Sequence, residues 1–351
     1  MVTVTIIFVI ALLLTLLEGK GKLKNGMTYA FFMLIFLFSL RGAYGNDYLT
    51  YQKLFDNIIN NRVGWFEVEM GWYALNRILG SLGFHAVLFV HISLVLLPLY
   101  VMIKRYVPAR YRWLSMFLIV FNPSVFLLDL SMLRQSIAQS FFLLAVNSMI
   151  LSKRIRSLVL LGCGFMFHYS CIICTPFIFL KDIFKVTKPY VVIMVLVLTL
   201  FIFSLNGELV MYIMSLVREN ELFQEEYGSY TVIASEGGTG YGLLLQYLFF
   251  LPAFFQLKKF NNVDYLFIIL YVVSFVFVPF GKYMTLYLRL SGYFAIFSIF
   301  LLPRLLSNCK DIIVKRVTYV IIYFYYLYSY YDFFHSATYG RYYMNFVFSF
   351  L

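Results

Sequence analysis

Charge is what this sequence has least of. Asp, Glu, Lys and Arg make up 13% of its 351 residues, about half the share of a soluble globular domain. With 62% hydrophobic residues and a mean hydropathy of +0.85, a soluble fold is excluded. Cysteine is scarce as well. Cys163, Cys171, Cys174 and Cys309 offer no disulfide framework, because three of them lie in apolar sequence. Cys171-x-x-Cys174 beside His168 reads as small residues packing in a membrane helix rather than as a metal or redox motif. The N-terminus has neither a basic leader nor a small-residue cleavage site, so the apolar run from Thr3 reads as a retained first span. No Asp-x-Asp pair suited to a metal-bound nucleotide sugar occurs, and no Ser–His–Asp spacing. Gly237-Gly238-Thr239-Gly240 lacks the lysine and the strand–loop–helix setting of a phosphate cradle, and reads as a flexible loop or lid.

What the chain does have is a series of apolar runs, many near the roughly 20 residues that one bilayer crossing needs. The net charge of +12 suggests nucleic acid, but its distribution argues otherwise. Basic residues gather between the runs, at Lys20/Lys22/Lys24, Lys104/Arg105/Arg110/Arg112, Lys153/Arg154/Arg156, Lys181/Lys185/Lys188, Lys258/Lys259 and Arg304/Lys310/Lys315/Arg316. Only Glu18, Asp182, Asp264 and Asp311 of the 16 acids accompany them. Short basic loops of this kind mark the cytoplasmic side. The expected fold is an all-α polytopic membrane protein of about 11–12 transmembrane segments in a single domain.

The topology runs as follows. Spans are expected near Thr3–Leu17, Met27–Leu40, His85–Ile103, Trp113–Asp129 and Arg134–Leu151, with the N-terminus outside. Residues 41–84 form an outer loop whose Tyr48, Tyr51, Phe55, Ile58 and Ile59, and whose Trp72, Leu75, Leu79 and Leu82, fall on helical faces. Ordinary packing onto the spans explains such faces, as does lying on the bilayer surface. Two basic clusters flank residues 157–180, too short for two crossings, so the charge rule favours a broken, re-entrant hairpin with His168-Tyr169-Ser170 at its tip; a single ordinary span is the alternative. Residues 218–240 form a second, acidic outer loop. Spans near Tyr241–Leu257, Tyr265–Gly281, Thr285–Leu302 and Val317–Phe334 follow, and the aromatic tail from Arg341 is expected along the interface.

Arginines and acids at a membrane edge are costly, which makes them candidate site residues. Arg41 ends the second span, Arg134 follows the turn after Asp129, and Arg289 interrupts a late span. All three are expected at the outer leaflet. Guanidinium forks suit phosphate oxygens, while an ion pair such as Asp129–Arg134 or snorkelling to the interface is the plainer reading of each. His168 is placed to accept a proton from a hydroxyl. Asp47 and Glu69 are rival bases or hydroxyl ligands. Tyr48, Tyr51 and Trp72 offer rings for sugars.

The pattern Arg41-x3-Gly45-x-Asp47-Tyr48-x2-Tyr51, then Glu69-x-Gly71-Trp72-x2-Leu75-Asn76, Leu133-Arg134-Gln135-x2-Ala138, His168-Tyr169-Ser170 and Arg289 before Tyr293-Phe294 resembles the EpsG family of bacterial Wzy-type polymerases of exopolysaccharide and O-antigen. Trp72 departs mildly from the usual aromatic of the glutamate motif. The resemblance implies a GT-C-like fold and a polymerase of the inner membrane with its site facing the periplasm. That enzyme would move a growing glycan from undecaprenyl diphosphate onto a lipid-linked repeat unit. It implies diphosphate ligands at Arg41, Arg134 and Arg289, catalytic groups among His168, Asp47 and Glu69, and sugar contacts at Tyr48, Tyr51, Trp72 and Gln135. No cofactor and no metal is implied. The expected partners are the lipid-linked oligosaccharide, the bilayer and a chain-length regulator protein, with no nucleic acid. A transferase adding a single sugar from a polyprenyl phosphate, and a flippase, are the competing readings.

Overall fold

The computed structural model describes residues 1–178, 198, 212, 215, 240–254, 260–281 and 285–349. The expected outer loop over 218–240 lies outside them except for Gly240, as do the basic cluster at 181–188 and Lys258/Lys259. The described residues are helical and contain no β-strand, only an isolated bridge between Arg41 and Phe348. Two compact units are formed, one by residues 1–181 with 326–351 and the other by residues 182–325.

The first unit begins with α1 (Val2–Gly19) and α2 (Gly26–Ser39), joined by the basic turn. Glu18, the one acid in that turn, accepts from the Met27 backbone N–H at 2.7 Å and pairs with Arg112 at 3.3 Å. It therefore caps the start of α2 and ties it to the next basic loop. Gly26 leaves no room for a Cβ against the Leu14 carbonyl, so the two helices meet backbone to backbone. Then come α3 (Tyr48–Ile59), α4 (Met70–Leu79), a 3-10 turn over Gly80–Leu82, and α5 (Phe84–Tyr106). α6 covers Arg112–Val120, α7 Leu133–Ile150 and α8 Arg154–Phe167. α7 and α8 pack closely through small residues: the Ser157 hydroxyl donates to the Ala145 carbonyl at 2.6 Å, and Gly164 lies against Phe141. Membrane helices favour such small contacts because hydrocarbon solvent gives them no hydrophobic drive to associate. Beyond His168 the chain continues as a 3-10 turn, Tyr169–Cys174, and the short α9, Thr175–Ile178.

In the second unit lie α10 (Gly240–Leu248), α11 (Leu251–Phe254), α12 (Asn262–Gly281), α13 (Thr285–Ala295) and α14 (Ser298–Asn308). Asp264, at the start of α12, pairs with Arg304 of α14 at 2.6 Å. α15 (Ile312–His335) begins in this unit and ends in the first, followed by α16 (Gly340–Tyr343).

Two helices, Val2–Gly19 and Phe84–Tyr106, are long and apolar enough to cross a membrane among the described residues. A third is counted if Tyr287–Ala295 and Ser298–Asn308, bent by 42° at their break, form one span. Gly26–Ser39, Tyr169–Ile178 and Asn262–Val278 are shorter and apolar. The chain is thus all-α and membrane-type. Three expected spans are interrupted, the one near Tyr241–Leu257 by a turn at Phe249-Phe250. The one near Thr285–Leu302 breaks at Ile296-Phe297. The one near Trp113–Asp129 is helical only to Val120, because Asn122-Pro123 removes a backbone donor and starts a chain of turns. Those turns are almost wholly buried, the condition under which irregular backbone is tolerated at membrane depth.

Candidate functional site

α3 and α4 are held together by one apolar cluster. Tyr48, Tyr51, Phe55 and Ile58 from α3 meet Trp72 of α4, with Phe84, Val87 and Leu88 of α5 and Leu133 and Ile137 of α7. The helical face read for α3 is therefore the buried one, apart from a half-buried Ile59. This packing brings the first residues of α4 against the first turn of α7. Glu69, immediately before α4, forms an ion pair with Arg134, the second residue of α7. The glutamate is nearly enclosed, while 31% of the arginine side chain stays exposed. Arg134 Nε also donates to the Tyr51 hydroxyl at 3.5 Å, and its guanidinium lies 5.8 Å from the Tyr51 ring centroid, within cation–π range. The alternative pairing of Arg134 with Asp129 does not form.

Tyr51 in turn meets Trp72 edge to face at 5.2 Å, and Tyr48 meets Phe84 in the same way at 5.5 Å. Trp72 is fully buried. These rings, expected on sugars, are the packed wall behind the ion pair rather than an open platform. Burial raises the pKa of the Tyr51 hydroxyl, with Arg134 pulling it the other way. Asp47 precedes α3, half-buried, and its charge acts on both Tyr51 and Tyr343. Gln135 is buried beside Arg134 on α7.

Gly71 explains how His168 comes near this group. A Cβ at Gly71 would stand 2.9 Å from the Met166 carbonyl oxygen and 3.0 Å from the Phe167 ring. The start of α4 therefore touches the end of α8 in a contact only glycine permits. His168 is the next residue, extended at φ −158° and ψ 123°, where α8 stops. Its Nδ1 accepts from the Ser170 backbone N–H at 3.2 Å and lies 2.8 Å from the Ser170 hydroxyl. A backbone N–H can only donate, so Nδ1 carries no hydrogen and the neutral ring carries it on Nε2.

Arg41 sits apart from that ion pair. It is fully enclosed, donating from Nη1 to the Phe38 carbonyl at 2.9 Å and from Nη2 to the Leu130 carbonyl at 3.2 Å. Phe38 O belongs to the last turn of α2, which has no helical donor of its own. Burial lowers the pKa of Arg41 to about 10, against the opposing influence of Tyr48, Tyr343 and Tyr44, so it stays charged at neutral pH. Sequence reasoning missed the residues around it. Tyr343 donates to the Leu127 carbonyl at 3.0 Å and lies 2.5 Å from the Ser131 hydroxyl. Gly42 N–H donates to Val347 O at 2.8 Å and Ser349 N–H to Leu40 O at 2.9 Å. The aromatic tail thus packs along residues 40–45. On the far side, His91 of α5, also missed, lies 2.8 Å from the Ser136 hydroxyl. A histidine in the middle of an apolar run was the available signal for it. Gly45, at φ 110°, adopts a conformation that side chains disfavour, and a Cβ there would press on Ser131 at 2.7 Å.

Arg289 lies half-buried on α13 of the second unit. The structure thus joins Glu69, Arg134, Tyr51 and Trp72 in direct contact, with His168 one residue from the Gly71 contact and Asp47 within electrostatic reach of Tyr51. Nothing matches the chain among curated proteins or among solved structures. Residues 26–348 match the EpsG family, and the chain belongs to that family of polysaccharide-polymerase-type membrane glycosyltransferases.

Proposed function

We propose that the protein is a Wzy-type polymerase of an inner membrane, with a GT-C-like architecture of about 11–12 segments that includes a re-entrant hairpin over residues 157–180. Its site faces the periplasm. There it moves a growing glycan from undecaprenyl diphosphate onto a hydroxyl of a lipid-linked repeat unit. The observation that carries this reading is the Glu69–Arg134 pair, half-open on the arginine side and braced by Tyr51, in a chain of the EpsG family.

The acceptor oxygen attacks the anomeric carbon of the donor glycan. The bond from that carbon to the diphosphate oxygen breaks, and its electron pair leaves with the diphosphate. Arg134 binds the departing diphosphate with the donors that Glu69 and Tyr51 leave exposed. Donors aimed at charge that develops during reaction contribute several kcal/mol. Arg41 adds a fixed positive charge from within the fold and holds the turn that leads to Arg134. The acceptor proton needs a base. Glu69 is engaged by Arg134, and the Nε2–H tautomer makes His168 a donor, which supports Asp47 as the base and His168 as a hydrogen-bond donor to the leaving group. Gln135 orients a sugar hydroxyl, while Tyr48, Tyr51 and Trp72 shape the wall. Lipid-linked oligosaccharide, the bilayer and a chain-length regulator protein are the partners of this scheme.

The pure protein, reconstituted with lipid-linked repeat units, should yield a ladder of polymer, and Arg134→Ala should leave single repeat units on lipid. Addition of one sugar without a ladder would instead identify a single-sugar transferase. Transbilayer movement of the lipid with no new glycosidic bond would identify a flippase.

A further inference from the structure

α3 and α4 turn chemically different faces outward. On α3 the exposed residues are polar apart from Leu49: Thr50, Gln52, Lys53 and Asp56, with Asn60 just beyond. On α4 and the 3-10 turn after it, the exposed residues are Arg77 and Ser81 and, among the hydrophobic ones, Met70, Ile78 and Leu82, Ile78 by 76%. These three hydrophobic residues stand at i, i+8 and i+12, with Ala74 between the first two. The one charge on this stretch, Arg77, turns away from them: its Nη1 donates to Asn61 Oδ1 at 3.0 Å and to the Ile58 and Ile59 carbonyls. Its opposite face, Trp72 and Asn76, is already buried in the protein. α4 thus presents large apolar side chains outward as well as packing Trp72 inward.

The loop leading into α4 adds an exposed apolar pair between the exposed Arg62 and Glu67. Gly64 and Glu67 close a turn on each other, with Glu67 N–H donating to Gly64 O and Gly64 N–H to Glu67 Oε1, each at 3.2 Å. The turn presents Trp65 and Phe66 at its tip, 60% and 75% exposed and packed edge to face on each other. At its other end the apolar stretch runs through Gly83 directly into the candidate span α5, whose Phe89, Leu97 and Val101 are exposed as well.

From these faces we infer that α4 and the Trp65–Phe66 tip are embedded in the lipid leaflet at the α5 N-terminus, while α3 roofs them on the water side. The occupant of the apolar face is lipid. Continuity with α5 and the diversion of Arg77 toward the α3 carbonyls both favour this, and tryptophan suits the headgroup level. Glu67 and Glu69, the first charged residues after the tip, then stand at the lipid–water boundary, where a lipid-borne headgroup arrives. The inference needs only a chain embedded in a bilayer and does not rest on the polymerase reading.

Trp65 reports on its own surroundings. The full chain, reconstituted in phosphatidylcholine vesicles, is compared with Trp65→Phe, and the difference isolates the Trp65 emission from Trp72 and Trp113. Lipids brominated near the headgroup end of the acyl chain should remove most of that difference signal, while aqueous iodide should leave it intact. Ile78→Trp in the Trp65→Phe background should show the same pattern. Quenching by iodide but not by bromolipid would overturn the inference. So would protection from both quenchers that weakens as protein is diluted into more lipid, since a second copy would then cover the face. Bromolipid quenching at Trp65 but not at residue 78 would overturn the placement of α4.

Discussion

Arg41 offers the sharpest test of how this site is supported. A guanidinium that grips substrate and one that holds the fold together behave differently when replaced. Here both observed bonds go to backbone carbonyls of the protein, Phe38 in the last turn of α2 and Leu130 in the turn before α7. Hydrogen bonds from a charged donor contribute about 1.5–3 kcal/mol each. Arg41→Lys keeps the charge, but a single ammonium on a shorter stem cannot serve two carbonyls in a fixed fork. It should lose about one such bond, roughly 2 kcal/mol, while still carrying a buried charge. Arg41→Met loses both bonds but removes that charge, and replacing buried ions by apolar groups is often close to neutral. The lysine variant should therefore be no more stable than the methionine variant, and below the native protein by several degrees in thermal unfolding in detergent. Polymer formation should fall in both. Added lipid-linked repeat unit should still raise the unfolding midpoint of Arg41→Lys, whereas Arg134→Ala should lose that stabilisation. Native melting in both Arg41 variants, with substrate stabilisation gone, would refute the supporting role and make Arg41 a direct ligand.

The other expectations follow from single contacts. Trp72→Ala empties a fully buried site and should cost about 3–5 kcal/mol, read as a fall in the unfolding midpoint. Gly71→Ala puts a methyl group 2.9 Å from the Met166 carbonyl; it should part α4 from α8 and lower polymer yield, a result that Gly162→Ala, with open space around it, should not reproduce. Glu69→Gln leaves Arg134 without its counter-charge, so the polymer ladder should shorten or vanish while lipid-linked starting material accumulates. His168→Gln places an amide donor close to the Nε2 position and should retain part of the activity, whereas His168→Asn should not. Loss in both, with Asp47→Asn active, would return the base role to His168.

Periodicity made the α3 face legible, because Tyr48, Tyr51, Phe55 and Ile58 stay on one side of a regular helix. The same count failed at Leu82. α4 ends at Leu79 and the 3-10 turn advances three residues per turn instead of 3.6, so Leu82 swings out of the Trp72 face. Hydropathy marked Trp113–Asp129 as one span, yet Asn122-Pro123 ended the helix early; the apolar composition persisted because the turns that replace it are buried. Motif order identified Glu69, Gly71, Trp72, Arg134 and His168 together, and the contacts between Glu69 and Arg134 and between Gly71 and Met166 give that order a spatial reason. Which partner Arg134 would take was not legible, since Asp129 is closer in sequence than Glu69. The surroundings of Arg41 were hidden for a different cause. Its neighbours are backbone carbonyls and a tail near residue 348, and neither leaves a periodic or compositional trace.

That tail has a consequence for how the protein is made. Residues 40–45 leave the ribosome long before residues 347–349, so the strand-like bridge from Arg41 to Phe348 and the bonds of Gly42 and Leu40 to Val347 and Ser349 cannot form until that later segment has been synthesised and inserted. Contacts so distant in sequence are slow to close. The segment around Arg41 therefore waits, incompletely covered, until residues 347–349 arrive. A bulky fusion placed close behind residue 349 would sit against that closing seam, so reporter tags there should be judged by whether the Arg41 region still matures.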